Sequence, residues 1–136
     1  MDKINNLIAG LLAIANYAKD IHYNSKGDSF YAKHLLADRV QENLPDYIDR
    51  LKEVCLLGNN EAALSSSEYL RKAIILLPEI SNSDKDNFKR LAELVITNLA
   101  LIEHLSELTK GEENLVGAIA EDLQNSLGLI NRQIKE

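Results

Sequence analysis

From Ile4 onward, apolar residues return at Leu7, Ile8, Leu11, Ile14, Ala15, Ala18 and Ile21. This three-and-four spacing lines one face of an α-helix and predicts a first helix over about 2–23. The polar stretch Asn24-Ser25-Lys26-Gly27-Asp28-Ser29 interrupts the pattern. Either Asp28 or Ser29 is expected to cap the next helix by accepting from its free amides. That second helix is predicted from Ser29 to Leu57, with Val40, Leu44, Tyr47, Leu51, Val54 and Cys55 as its stripe and Gly58 as a left-handed stop. Pro45 lies inside the stripe. Its missing amide and its ring predict a kink rather than an end, because good helix-forming sequence continues on both sides.

Ser65 and Glu68 have capping-box spacing and open a short helix through Tyr69, Leu70, Ala73, Ile74 and Leu77, closed by Pro78. Ser81-Asn82-Ser83-Asp84 starts a third long helix with the stripe Phe88, Leu91, Val95, Leu99, Ile102, Leu105 and Leu108, and Lys110-Gly111 is expected to stop it. A fourth helix carries Leu115, Ile119, Leu123, Leu127, Ile130 and Ile134 to the end of the chain. The expected fold is therefore an all-α four-helix bundle with a short extra helix in the connection between the second and third long helices. That connection, Gly58 to Asn82, can travel the length of the bundle, so those two helices are expected to run parallel, which is ferritin-like connectivity. With no internal repeat or linker, residues 1–136 read as a single domain.

Composition narrows the classes without changing this picture. The chain has 136 residues, 46% hydrophobic, with only 6 Gly, 2 Pro and no Trp, which suits one compact helical domain. Cys55 is the single cysteine, so no intrachain disulfide and no four-thiolate zinc site can form. It continues an apolar stripe and is expected in the core. A reducing, cytoplasmic location is expected. Leu7 to Ala15, the longest apolar candidate, is broken by Gly10, so no membrane span is expected, and Asp2-Lys3 leads straight into periodic sequence rather than a secretory signal. A formal net charge of -6 disfavours general nucleic-acid binding, which depends on Lys and Arg neutralising phosphates.

The candidate chemistry lies in His22, His34, Asp38, Asp49 and Glu53. His34 and Asp38 are four apart, as are Asp49 and Glu53, so each pair shares a helix face and makes a two-donor clip. Imidazole with carboxylates suits iron, manganese or zinc, and carboxylate-rich bundle sites commonly hold two metals. His34 and Asp49 are fifteen residues apart, a rise of ~22 Å along one helix. One chain cannot close this site. Antiparallel pairing of the second helix with its copy brings residue 36 opposite residue 51, with a two-fold axis near Asn43 and Leu44. Two equivalent sites result, each taking His34 and Asp38 from one copy and Asp49 and Glu53 from the other, with His22 joining the histidine side. His104 has mainly apolar helical neighbours and reads as a packed or partly exposed histidine. Tyr23, Phe30, Tyr31 and Tyr47 read chiefly as packing residues, with Tyr23 and Tyr31 able to line the site.

The segment IHYNSKGDSFYAKHLLADRVQENLPDYIDRLKEVCLLG resembles the signature of the Dps-type mini-ferritins. The family pattern is His, twelve on His, four on Asp, eleven on Asp, four on Glu, and the five residues above reproduce each interval. Tyr23-Asn24, Lys26-Gly27 and Phe30 resemble its aromatic-Asn, Lys-Gly and Phe context. The resemblance implies a homo-oligomer of two-fold dimers, usually twelve subunits, that oxidises Fe(II) with peroxide or dioxygen at dinuclear iron sites and stores the ferric product. It implies that His22, Asp49 and Glu53 hold the tighter iron and that His34 and Asp38 serve the second. The chain departs from the family with Tyr23 where Trp is usual, with Pro45 beside the two-fold axis, and with Glu112, Glu113 and Asn114 where pore aspartates are common. No Lys-rich tail is visible, so DNA binding is not expected. Two other readings stay open: a non-catalytic bundle that keeps these residues as a polar dimer seam, and a small diiron or dimanganese oxidase without a storage cage.

Overall fold

A computed structural model describes residues 2–135; Met1 and Glu136, the ends of the expected domain and of its last helix, lie outside the described residues. The helices are α1 (Asp2–Asn24), α2 (Phe30–Gln41), α3 (Leu44–Leu51), α4 (Ser66–Leu76), α5 (Asp84–Glu103) and α6 (Lys110–Ile134). A π turn over Lys52–Leu56 and a 3-10 turn over Leu57–Asn59 continue α3. There is no strand among the described residues.

Pairwise contacts fix the directions. Lys3 Nζ donates to the His104 carbonyl and Tyr17 OH to Asn87 Oδ1, so α1 and α5 are antiparallel. His22 meets His34 across the α1–α2 hairpin. Arg39 reaches Ser126 while Asn59 reaches Glu112, so α6 runs against the α2–α3 pair. It follows that α2–α3 and α5 run parallel, and the segment around α4 carries the chain back along the bundle, as its length predicts. Leu7, Leu11, Ile14 and Ile21 of α1 meet Val40, Leu44, Leu51, Leu91, Val95, Ile119 and Leu123 in one buried cluster. Tyr69 OH donates to Asn5 Oδ1 at 2.7 Å and lays α4 over the outer side of α1.

Four local expectations need correction. The second long helix is not continuous. Pro45 has no amide for the Gln41 carbonyl, so α2 ends there, Glu42 N donates to Arg39 O, and α3 begins with Pro45 in its first turn. Glu42 and Asn43 keep right-handed dihedrals, so the chain bends without reversing. Neither expected N-cap forms at α2: Ser29 is itself left-handed at φ 59°, and no side chain caps the helix. The loop is held from outside instead, because Asp84 accepts from Lys26 N (3.1 Å) and Lys33 Nζ (3.0 Å), with Gly27 supplying φ 75°.

Gly58 is not the left-handed stop; Asn60 is, at φ 59°. The third long helix ends at Glu103, not at Lys110-Gly111, which open α6. Leu105 and Leu108 still pack against the core from the connecting turn, which is why the stripe looked unbroken. Thr109 Oγ1 accepts from Glu112 N (3.2 Å) and the Glu112 carboxylate accepts from Thr109 N (2.9 Å), a capping box that fixes where α6 starts. The expected box at Ser65 and Glu68 is present at α4.

Gly10 lies where α1 and α5 approach, and a Cβ there would collide with Asn98 Oδ1. Helix propensity alone would make Gly10→Ala stabilising by about 1 kcal/mol. The clash should reverse the sign, with a net loss of about 1–3 kcal/mol in urea unfolding. Adding Asn98→Ala should recover part of it.

Glu112 is buried, and its carboxyl is held below its ordinary value by the Thr109 amide, against the cost of burial, with help from Asn59 and the Thr109 hydroxyl. Since the folded pKa is depressed, this stabilisation is present above the ordinary carboxylate range and lost as pH falls through the folded pKa. Glu112→Gln should lower stability by about 1 kcal/mol at neutral pH. In thermal unfolding scans the gap from the parent should close as the pH is taken down through the acid range.

Candidate metal centre

His22 sits in the last turn of α1 and His34 in the second turn of α2. The rings stack with centroids 3.6 Å apart and planes 19° apart. Each Nδ1 lies 2.8 Å from the other residue's backbone carbonyl oxygen. A carbonyl can only accept, so both Nδ1 atoms carry the proton and each neutral ring keeps its lone pair on Nε2. Neither Nε2 has a hydrogen-bond partner among the described residues. Metal-ligating histidines are commonly anchored in this way, through the nitrogen that does not bind the metal.

Phe30 tilts against His34 at 5.3 Å and the Tyr23 edge meets His22 at 4.9 Å. Of the four aromatics expected chiefly to pack, Tyr47 lies partly buried against the core. Tyr23 is 73% exposed and Tyr31 70%, and Phe30 is also exposed. Apart from the two histidine rings and Lys19 over Tyr23, these rings face solvent among the described residues.

Asp38 stands one turn beyond His34. Its Oδ1 accepts from Gln41 Nε2 at 3.0 Å and lies 3.7 Å from Lys19 Nζ. Asp49 lies in the last turn of α3 and Glu53 in the π turn, both exposed. The Glu53 carboxyl is raised first by the charge of Asp49, then by a hydrogen bond to it, with Asp46 adding to the repulsion. The clip therefore concentrates negative charge, and no salt bridge to it is formed among the described residues, a condition that favours a cation. A π turn is itself an irregularity often found at functional positions.

The histidine clip and the carboxylate pair do not meet. No three His, Cys, Asp or Glu side chains among the described residues form a group that could hold a metal ion. The intervening helix is bent at 42–43 but not folded back, so the separation remains that of fifteen residues of helix. Lys19, Gln41 and Asp46 were missed from sequence. Lys19 is three residues before His22 and Gln41 three after Asp38, so helical spacing placed both beside known candidates.

The remaining candidates do other work. His104 is exposed and its Nδ1 meets the Ala100 carbonyl at 2.7 Å, capping the end of α5. Cys55 is fully buried as expected, and burial pushes its thiol up to about 11, with Glu112 adding to the effect, so it offers no thiolate. Among the described residues no helix is long and apolar enough to cross a membrane. No protein-family model matches the chain.

The reciprocal bonds predict one tautomer for both rings. Long-range 1H–15N correlation spectra of the metal-free protein at pH 8 should show His22 and His34 protonated at Nδ1 and bare at Nε2. Either ring in the Nε2–H form would contradict the geometry.

Proposed function

We propose that this chain is a subunit of a Dps-like, ferritin-like ferroxidase and iron store. Fe(II) is its substrate, bound in pairs at sites shared by two antiparallel copies. The observation that carries the reading is the pair of unpartnered Nε2 atoms, anchored through Nδ1, one turn from a carboxylate. The register that brings residue 36 opposite residue 51 also places Phe30 opposite Leu57. Both are exposed, Leu57 at 67%, so pairing would cover apolar surface beside each site. Copies related by a two-fold axis bury the same patch on each, as such a seam requires.

In this reading His22, Asp49 and Glu53 hold the tighter iron and His34 and Asp38 serve the second. Two Fe(II) give up one electron each, and one peroxide takes both with two protons to leave two waters. Anionic oxygen donors favour Fe(III) over Fe(II), which drives the oxidation. Gln41 orients Asp38, and Lys19 offsets its charge before iron arrives. Manganese would fit the same donors, as would zinc without redox chemistry. An assembly of twelve subunits storing ferric product in the cytoplasm, with no affinity for DNA, completes the proposal.

Anaerobic Fe(II) titration followed by peroxide should give binding of two irons per site and fast oxidation. The Asp49→Ala, Glu53→Ala double variant should oxidise Fe(II) no faster than buffer. His34→Ala and Asp49→Ala variants, each inactive alone, should regain activity when unfolded and refolded together, since a mixed dimer carries both lesions in one site and neither in the other. No recovery in a mixture that does form dimers would refute shared sites.

A further inference from the structure

Between α4 and α5 a trough of about 320 Å³ opens above α1. Its walls are Ile75 and Leu76 on one side and Leu94 and Leu101 on the other, with Ala9 among the residues that line it. The shape has a local cause. Gly10 and Asn98 bring α1 and α5 into close approach, while α4 is tied to α1 by Tyr69 and Lys72 and stands outside them. Among the described residues α4 packs chiefly on α1, which leaves Ile75 84% exposed.

The lining is mainly apolar, with Thr97 and Asn98 on the α5 wall and the one charged group at an end. Lys72 and Asn6 stand together, the ammonium 3.2 Å from the Asn6 side-chain oxygen. No carboxylate pairs with Lys72 among the described residues, and none of the residues that line the trough is acidic. In a chain of net charge -6 this is a cation left facing an apolar channel. Since α1 and α5 are antiparallel, with residue 3 beside residue 104, Asn6 lies toward Leu101 and the far end is formed by Leu76 and Leu94. Leu101 to Leu94 spans about 10 Å of helix.

We propose that this trough binds a medium-chain aliphatic carboxylate of about eight carbons, its headgroup on Lys72 and its chain along Ile75, Leu76 and Leu94. Charge and shape choose this occupant. A cation at one end of an apolar channel complements an anion with an apolar tail. The volume is that of a small-molecule pocket.

The test is calorimetric titration of the full chain with sodium octanoate, alongside hexanoate, decanoate, octanol and octylamine. Octanoate should bind saturably, and affinity should rise by up to about fourfold per added methylene until the trough is full, then level off. Octylamine should not bind. Lys72→Glu should abolish octanoate binding, and Ile75→Asn should weaken it; both positions are exposed, and circular dichroism checks that the fold persists. No saturable binding at millimolar octanoate, equal binding of octylamine, or unchanged binding by Lys72→Glu would overturn the proposal. So would dissociation of an assembly by Ile75→Asn without any octanoate binding, which would assign this face to a second copy.

Discussion

The constraint on which the rest of the molecule depends is the burial of α1. A surface helix buries one stripe, but α1 is packed by α2 and α3 on one side, α5 on another and α4 across its outer face. Leu7, Leu11, Ile14, Tyr17 and Ile21 are fully buried along its length. That arrangement requires small residues where neighbours come close, and Gly10 against Asn98 is the tightest such point. It also requires that polar groups carried inside be satisfied. Tyr17 finds the Glu79 carbonyl and Asn87, and Asn5 finds Tyr69. These bonds tie the long connection between α3 and α5 to the central helix, so the crossover is anchored at both ends of α4.

The same burial explains how His22 is placed. It stands in the last turn of a helix buried along its length, and the reciprocal bonds to His34 tie it to the start of α2. The local sequence before α2 contributes less. Ser29 does not cap, and the loop is instead held by Asp84 of α5 through Lys26 and Lys33. The Lys33–Asp84 pair is largely shielded from water, with side chains 16% and 11% exposed, so it resists screening better than surface pairs do.

The second long helix divides into two at Pro45, where only a kink was expected, whereas helix order and the parallel course of α2–α3 and α5 were legible because periodic stripes and one long link carry that information. Boundaries set by tertiary contact were not. Leu105 and Leu108 extend the α5 stripe in sequence while packing from a turn, so periodicity overran the helix end. The Thr109–Glu112 capping box would have corrected this, since its spacing matches the box read correctly at Ser65. Within the candidate site, the two clips were legible from i,i+4 spacing, but the Nδ1–carbonyl exchange was not, since it depends on how two helices meet. The π turn at Glu53 was not legible either: it leaves Val54, expected in the stripe, exposed and buries Leu56 in its place.

The bend at Pro45 bears on whether two copies could align. A kink that reversed the chain would separate the clips from any common face, but Glu42 and Asn43 remain right-handed, so α3 continues the path of α2. The charge of Asp49 raises the Glu53 carboxyl above its ordinary range, so holding both ionised is disfavoured in the isolated chain. In the proposed pairing His22, His34 and Asp38 would stand opposite them, and neither set forms a metal-holding group by itself among the described residues. Each half is thus incomplete in a complementary way, one rich in imidazole and the other in carboxylate. A cation shared between them would relieve the repulsion in one half and use the free Nε2 lone pairs of the other, coupling metal binding to association of the two copies.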